Sequence, residues 1–246
     1  MILLGCLEDW RLYMFKCIET QYIVQFENIS EIKKYKGDVE AYLKEYFPIE
    51  NIQNINIPDN IPLPAEVPVI IGTSKYKHSQ LFITSNSIRL TTSFDKEFNS
   101  DKEACHKYLR DRISLINDLA LNISRNGVIF NGFINQFVDE SKTEAESYIA
   151  DVFFKDVVQN VYDMQAKFTF VRDQTYYINI MINNLRNNQN ESVLGLQLDV
   201  NSKFLFNSNP QKNVFLKKEQ LDTVVCLSFS IIDEQLERIE EGMIEI

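Results

Sequence analysis

Two aspartates stand where carboxylate chemistry would be placed in this chain. Asp95 follows the apolar run Ile88–Phe94, and Asp199 closes the run that starts at Val193. A carboxylate at the end of a buried strand can move a proton, accept backbone N–H bonds or pair with an arginine. If the two converged they would make an acid–base pair, which defines one functional expectation: an enzyme of unrecognised type with a carboxylate-based site at the strand ends. Read structurally, each aspartate is instead a strand-end cap.

Other reactive groups are sparse. The two histidines, His78 and His106, fall in no HxH, HxxxH or cysteine-containing spacing, so no metal is expected. No GxSxG elbow, GxxxxGK or GxGxxG can be written with the seven glycines, which leaves nucleophilic triads and phosphate cradles without a basis and no cofactor expected. Carboxylate pairs at Asp95/Glu97, Glu144/Glu146 and Asp233/Glu234 fit helix capping and first-turn dipole complementarity as well as catalysis. His78 lies in the turn Lys75–His78 between strands, a place where loops carry function. His106 reads as an exposed or partly paired helix residue.

Binding is easier to motivate than catalysis. Seventeen Phe and eleven Tyr, with pairs such as Tyr176-Tyr177 and Phe153-Phe154, exceed what two helices and one sheet must bury, and large aromatics dominate interaction hot spots. The first functional expectation is therefore a non-enzymatic interaction protein, an adaptor, antitoxin-like or chaperone-like subunit. It would recognise a protein partner through apolar and aromatic surface, with homo-oligomerisation through a sheet edge or helix face as the simplest use of any surplus.

Charge narrows the partners. A formal net charge of -10 argues against non-specific nucleic-acid binding, which needs clustered Lys and Arg. Lys33–Lys36 and Lys75–His78 are the densest basic runs, and both fit a solvated turn or helix face. No apolar run approaches the roughly 20 residues that cross a bilayer, so a soluble chain without a membrane partner is expected. The start, Met1–Cys6, lacks the basic region of a secretory leader. Four cysteines without CxxC spacing fit a reducing cytoplasm.

The elements that must position these groups follow from periodicity. Alternation marks a strand near Tyr22–Phe26, and further strands are expected at Val69–Ile71, Gln80–Thr84, Ser87–Phe94, Lys167–Val171, Tyr176–Ile182 and Val193–Asn201. Asp38 is expected to cap a short helix. A connector at 57–68 holds four of the six prolines. Capping-box patterns at Ser100–Glu103 and Ser141–Glu144 announce two helices, one ending near Asn126-Gly127 and one running to about Tyr162. A last helix carries Leu221, Val225, Phe229, Ile232, Leu236 and Ile239 on one face. Consecutive strands followed by a helix, twice over, imply an α+β fold: an antiparallel sheet with amphipathic helices on one face. A single domain over 1–246 is expected, built as two pseudo-repeated halves, 1–126 and 127–246.

The terminal order of residues also carries a resemblance. The strand with Leu198-Asp199-Val200, then Phe215-Leu216, Leu221-Asp222 and Ser230-Ile-Ile-Asp-Glu-Gln-Leu236, resembles the carboxy-terminal signature of a sporadically distributed, uncharacterised family of bacterial proteins of about this length. The resemblance implies a cytosolic α+β protein with a chaperone-like sheet and helix layout. It brings no catalytic residues.

Overall fold

The computed structural model describes residues 15–55, 64–75, 78–94, 101–155, 160–208 and 214–246. Among the described residues nine runs form strands, and most alternate between buried and accessible side chains, as the pleat of a strand requires. They are β1 (Lys16–Phe26), β2 (Ile52–Asn54), β3 (Ile70–Thr73), β4 (Ser79–Ile83), β5 (Ser87–Ser93), β6 (Val128–Thr143), β7 (Gln165–Arg172), β8 (Tyr176–Arg186) and β9 (Ser192–Asn201). All join one antiparallel sheet in the order β2-β3-β4-β5-β1-β6-β9-β8-β7. Six helices complete the α+β fold: α1 (Lys36–Leu43), α2 (Lys102–Ile123), α3 (Ala145–Ile149), α4 (Lys203–Ser208), α5 (Lys218–Glu234) and α6 (Leu236–Glu240). Among the described residues no helix is long and apolar enough to cross a membrane.

The strand order repeats a pattern about its centre. Each half contributes a long central strand, a crossover with a short helix, a three-strand meander that returns to pair with the central strand, and a long helix. β1 and β6 lie side by side, with Tyr22 opposite Phe133. Outward from them, β5-β4-β3 on one side answers β9-β8-β7 on the other. The first half then adds β2 outside β3, whereas β7 pairs only with β8 among the described strands.

The long helices lie antiparallel over the sheet centre. Lys102 meets Asp233 at 2.7 Å at one end of the pair, and Lys218 meets Asp118 at the other. Leu109, Ile113, Ile116 and Ala120 of α2 and Leu221, Val225, Phe229 and Ile232 of α5 are all buried, so the terminal helical stripe is core. Burying each of the larger of these side chains, Ala120 aside, contributes roughly 1.5–3 kcal/mol. Each half also ties its central strand to its own helix by a buried polar pair. Tyr22 donates to Asn117 Oδ1 in one, and Asn135 Nδ2 donates to Ser228 Oγ at 2.8 Å in the other. Such pairs fix the helix register, because a slipped helix would leave both partners unsatisfied.

Several local expectations change. Asp38 lies inside the first turn of α1, whose N-cap is Tyr35 with no side-chain cap. Asp101 caps α2 by accepting Ala104 N–H at 2.9 Å. Ser100, part of the expected capping box, lies outside the described residues, as do 57–63 of the proline connector.

The largest difference is at Ser141–Glu144, which opens no long helix. There β6 continues through a bulge to pair Thr143 with Val193, Ser141 donates both its N–H and its hydroxyl to Asp139 Oδ1, and Glu144 adopts φ 60°. Only Ala145–Ile149 is α-helical, followed by a wide π turn at Ala150–Phe154 that Lys155 ends at φ 54°. Ladder pairing to β9 satisfies the backbone that a capping box would have served, and tertiary pairing outweighs the local signal. The polar run after Ile182 likewise folds as strand as far as Arg186, leaving a hairpin loop at Asn187–Glu191 closed by Asn187 N–H to Glu191 C=O at 3.0 Å.

Candidate functional site

Asp199 does not cap a strand end. It sits within β9 between Asn179 of β8 and Ile134 of β6, and its carboxylate accepts from Asn179 Nδ2 and Asn201 Nδ2, each at 3.0 Å. Burial raises its pKa above the ordinary carboxylate value against the pull of both amides. Asn201 in turn accepts Lys203 N–H at 3.1 Å, so the cluster seats the start of α4. Asp95 lies outside the described residues.

The Tyr176-Tyr177 pair is divided by the pleat. Tyr176 is buried beneath the helices and donates to Gln220 C=O at 3.2 Å. Tyr177 takes the opposite face, where its ring meets Phe204 of α4 edge-on at 5.3 Å. His78 is half-buried just before β4, and its carbonyl accepts Ser93 N–H at 3.0 Å. Tyr177 and Asp199 are neighbours on one face, since Tyr177 pairs with Asn201 and Asn201 donates to Asp199, whereas Tyr176 lies on the other face and His78 precedes β4 in the other half of the sheet. Among the described residues no group of His, Cys, Asp and Glu is placed to hold a metal ion.

What the helices do build is an apolar cleft of about 80 Å³ over the β1–β6 pair, between the first turns of α2 and the last turns of α5. Phe15, Phe94, Leu109, Phe137, Phe229 and Leu236 supply much of its wall. Its mouth is charged. Lys102 donates to Ile232 C=O at 3.3 Å while pairing with Asp233. His106 stacks on Phe229, ring centroids 3.9 Å apart, with Nδ1 at 3.7 Å from Asp233. Arg110 lies over the same ring at 5.0 Å. Burial lowers the His106 pKa against the pull of Asp233, and the imidazole presents a flat face to Phe229. Periodicity placed His106 on its helix, but its partner Phe229 is 123 residues away and no local pattern links them.

A carboxyl pair of the kind sought at Asp95 and Asp199 occurs elsewhere. Asp139 of β6 and Glu240 of α6 are each about 2% exposed, and Asp139 Oδ2 and Glu240 Oε1 have no hydrogen-bond donor. Lys142 Nζ stands 3.7 Å from Glu240 Oε1, too far to donate. Burial first, and then the negative Asp139, push the Glu240 carboxyl up to about 7. A proton held on Glu240 relieves the repulsion and provides a donor the two oxygens otherwise lack. One half of this pair was legible: Phe133, Asn135, Phe137 and Asp139 share one parity, which points Asp139 into the core. Glu240 required the tertiary fold.

Comparison of the chain with protein-family models and with curated proteins finds no match.

Proposed function

We propose that this chain is a non-enzymatic protein-binding protein of the bacterial cytoplasm, adaptor-like or chaperone-like, that takes an apolar side chain of its partner into the cleft between α2 and α5. The observation that carries the reading is the aromatic lining of that cleft beneath a charged mouth. An apolar floor supplies affinity and a ring of charges orients the incoming chain, the division of labour seen at interaction hot spots.

The test is binding of a fluorescently labelled, reduced and carboxymethylated test polypeptide, read by anisotropy. The wild-type chain binds saturably, and Phe94→Asp, which puts a charge in the cleft wall, weakens binding at least tenfold in a protein that still melts cooperatively, well above the assay temperature. Equal binding by the two proteins, or none by either, defeats the reading.

A further inference from the structure

The two ends of the sheet are finished differently. At the first, the crossover from β1 lays β2 antiparallel on β3, pairing Ile52 with Gly72 and Asn54 with Ile70, and Ile55 N–H continues the ladder to Val69 C=O at 3.0 Å. β7 holds the corresponding place in the second half, and no described strand lies outside it. At eight residues it is more than twice as long as the three-residue β2.

The ladder shows which groups β7 presents. Asn184 N–H donates to Met164 C=O, so 164 and 184 form a hydrogen-bonded pair. Such pairs alternate in an antiparallel ladder. Ala166, Phe168 and Phe170 therefore bond to β8, and Lys167, Thr169 and Val171 direct their N–H and C=O groups to the open edge. An edge of this length is a template for another strand unless something covers it.

Side chains beside the edge define what it would accept. On the helix side, Phe168 and Phe170 are half-buried and Phe153 packs on Phe168 at 6.0 Å. Of the large apolar residues exposed among the described residues, three stand on β7 or the crossover leading to it: Phe154 at 50%, Tyr162 at 71% and Val171 at 48%. On the opposite face β7 shows Lys167, Thr169 and Val171, while Arg172, of the same parity as Phe168 and Phe170, ends the strand on the helix side. No acidic residue lies along β7, although the chain as a whole carries a net charge of -10.

We propose that β7 accepts an extended segment of a partner polypeptide as a tenth strand, antiparallel as β2 is on β3, with apolar residues beside Phe168 and Phe170 alternating with polar residues on the opposite face, an acidic one beside Lys167. This deepens the protein-binding reading above and rests on it: the partner is held in extended form, main chain on β7. The added hydrogen bonds are indifferent to sequence, and the alternation of side chains supplies selectivity.

The probe is a labelled peptide of about ten residues in which Val or Leu alternates with Asp, titrated into the full chain and read by anisotropy, with amide hydrogen exchange as the second measurement. Thr169→Pro removes one outward N–H and no bond to β8, the edge position where proline is tolerated. Thr169→Ala controls for the Thr169 Oγ1 bond to Asn179 Oδ1.

The expected result is peptide affinity at least tenfold weaker in Thr169→Pro and within twofold of wild type in Thr169→Ala, with the amides of 167, 169 and 171 protected only when peptide is present. Unchanged affinity in a folded Thr169→Pro overturns the proposal. So does protection of those amides in the free chain together with a dimer in sedimentation, since a second copy would then be the occupant. Peptide binding that survives Thr169→Pro but is lost in Phe94→Asp sinks strand addition and leaves the cleft reading standing. Loss in Thr169→Pro with Phe94→Asp unaffected does the reverse.

Discussion

The two halves of the sheet share a layout and diverge in how tightly it is closed. In the first half the outer strand is covered by β2, Gly72 has room around it, and polar ties such as Ser79 Oγ with Thr92 Oγ1 and Tyr108 at 2.8 Å join sheet to helix. In the second half no described strand covers the outer strand, Gly195 is pressed by its neighbours, and a carboxyl pair is sealed under the carboxy-terminal helix. The comparison teaches that one topology supports two solutions. The first half covers its outer strand with β2, and the second, among the described residues, leaves β7 outermost and buries a carboxyl pair on β6 and α6.

The largest expected effect falls on the centre that both halves share. Phe229 packs edge-on against Phe133 at 5.6 Å and carries His106 on its face. Phe229→Lys buries an unpaired charge and should cost about 4 kcal/mol or more, read as loss of soluble, cooperatively melting protein. A stable, folded variant would mean that the helix pair is not the common core.

A second effect separates the halves by pH. The Glu240 carboxyl, pushed up to about 7 from an ordinary 4.5, binds its proton more tightly folded than unfolded. Its contribution is complete below about pH 4.5 and is lost as pH rises through about 7, on the order of 3 kcal/mol in all. Denaturant titrations from pH 5 to 8 should show this loss, and Glu240→Gln should flatten it. A profile with the same slope in the variant would place the titrating group elsewhere.

Glycine replacement compares the halves directly. A Cβ at Gly195 would stand 2.7 Å from both Asn183 Oδ1 and Leu185 Cγ, whereas one at Gly72 would meet nothing nearer than 3.5 Å. Gly195→Ala should cost about 1–3 kcal/mol by overpacking, and Gly72→Ala less than about 1. Equal melting temperatures for the two variants would erase the contrast. The smallest effect belongs to β2. Gln53→Pro should lower stability by about 1 kcal/mol or less while raising the exchange rates of the β3 amides toward those of the β7 edge.

Much of the fold was legible. The sheet strands Gln80–Thr84, Ser87–Phe94, Tyr176–Ile182 and Val193–Asn201 announced themselves by alternation, and the stripes of α2 and α5 by a 3.6-residue period, because side-chain burial imprints the period of its element on the chain. The capping box at Ser141 misled because a local signal worth about 1 kcal/mol competes with a ladder extending β6 to Thr143. The site was less legible. Asp199 looked like a strand-end carboxylate, yet its partners Asn179 and Asn201 come from the sheet surface; the cleft depends on His106 meeting Phe229, and the carboxyl pair on Asp139 meeting Glu240.

By itself the sequence determined the class of fold, the helical stripes of α2 and α5 and the positions of most strands, since these depend on residues two to four positions apart. Only the tertiary structure decided that Tyr176 rather than Tyr177 lies under the helices, that the α5 stripe is core, that two distant carboxyls face each other, and that no described strand lies outside β7. The physical reason is that edges, clefts and buried pairs are properties of which elements become neighbours, and that choice is made by long-range packing rather than by any local run of residues.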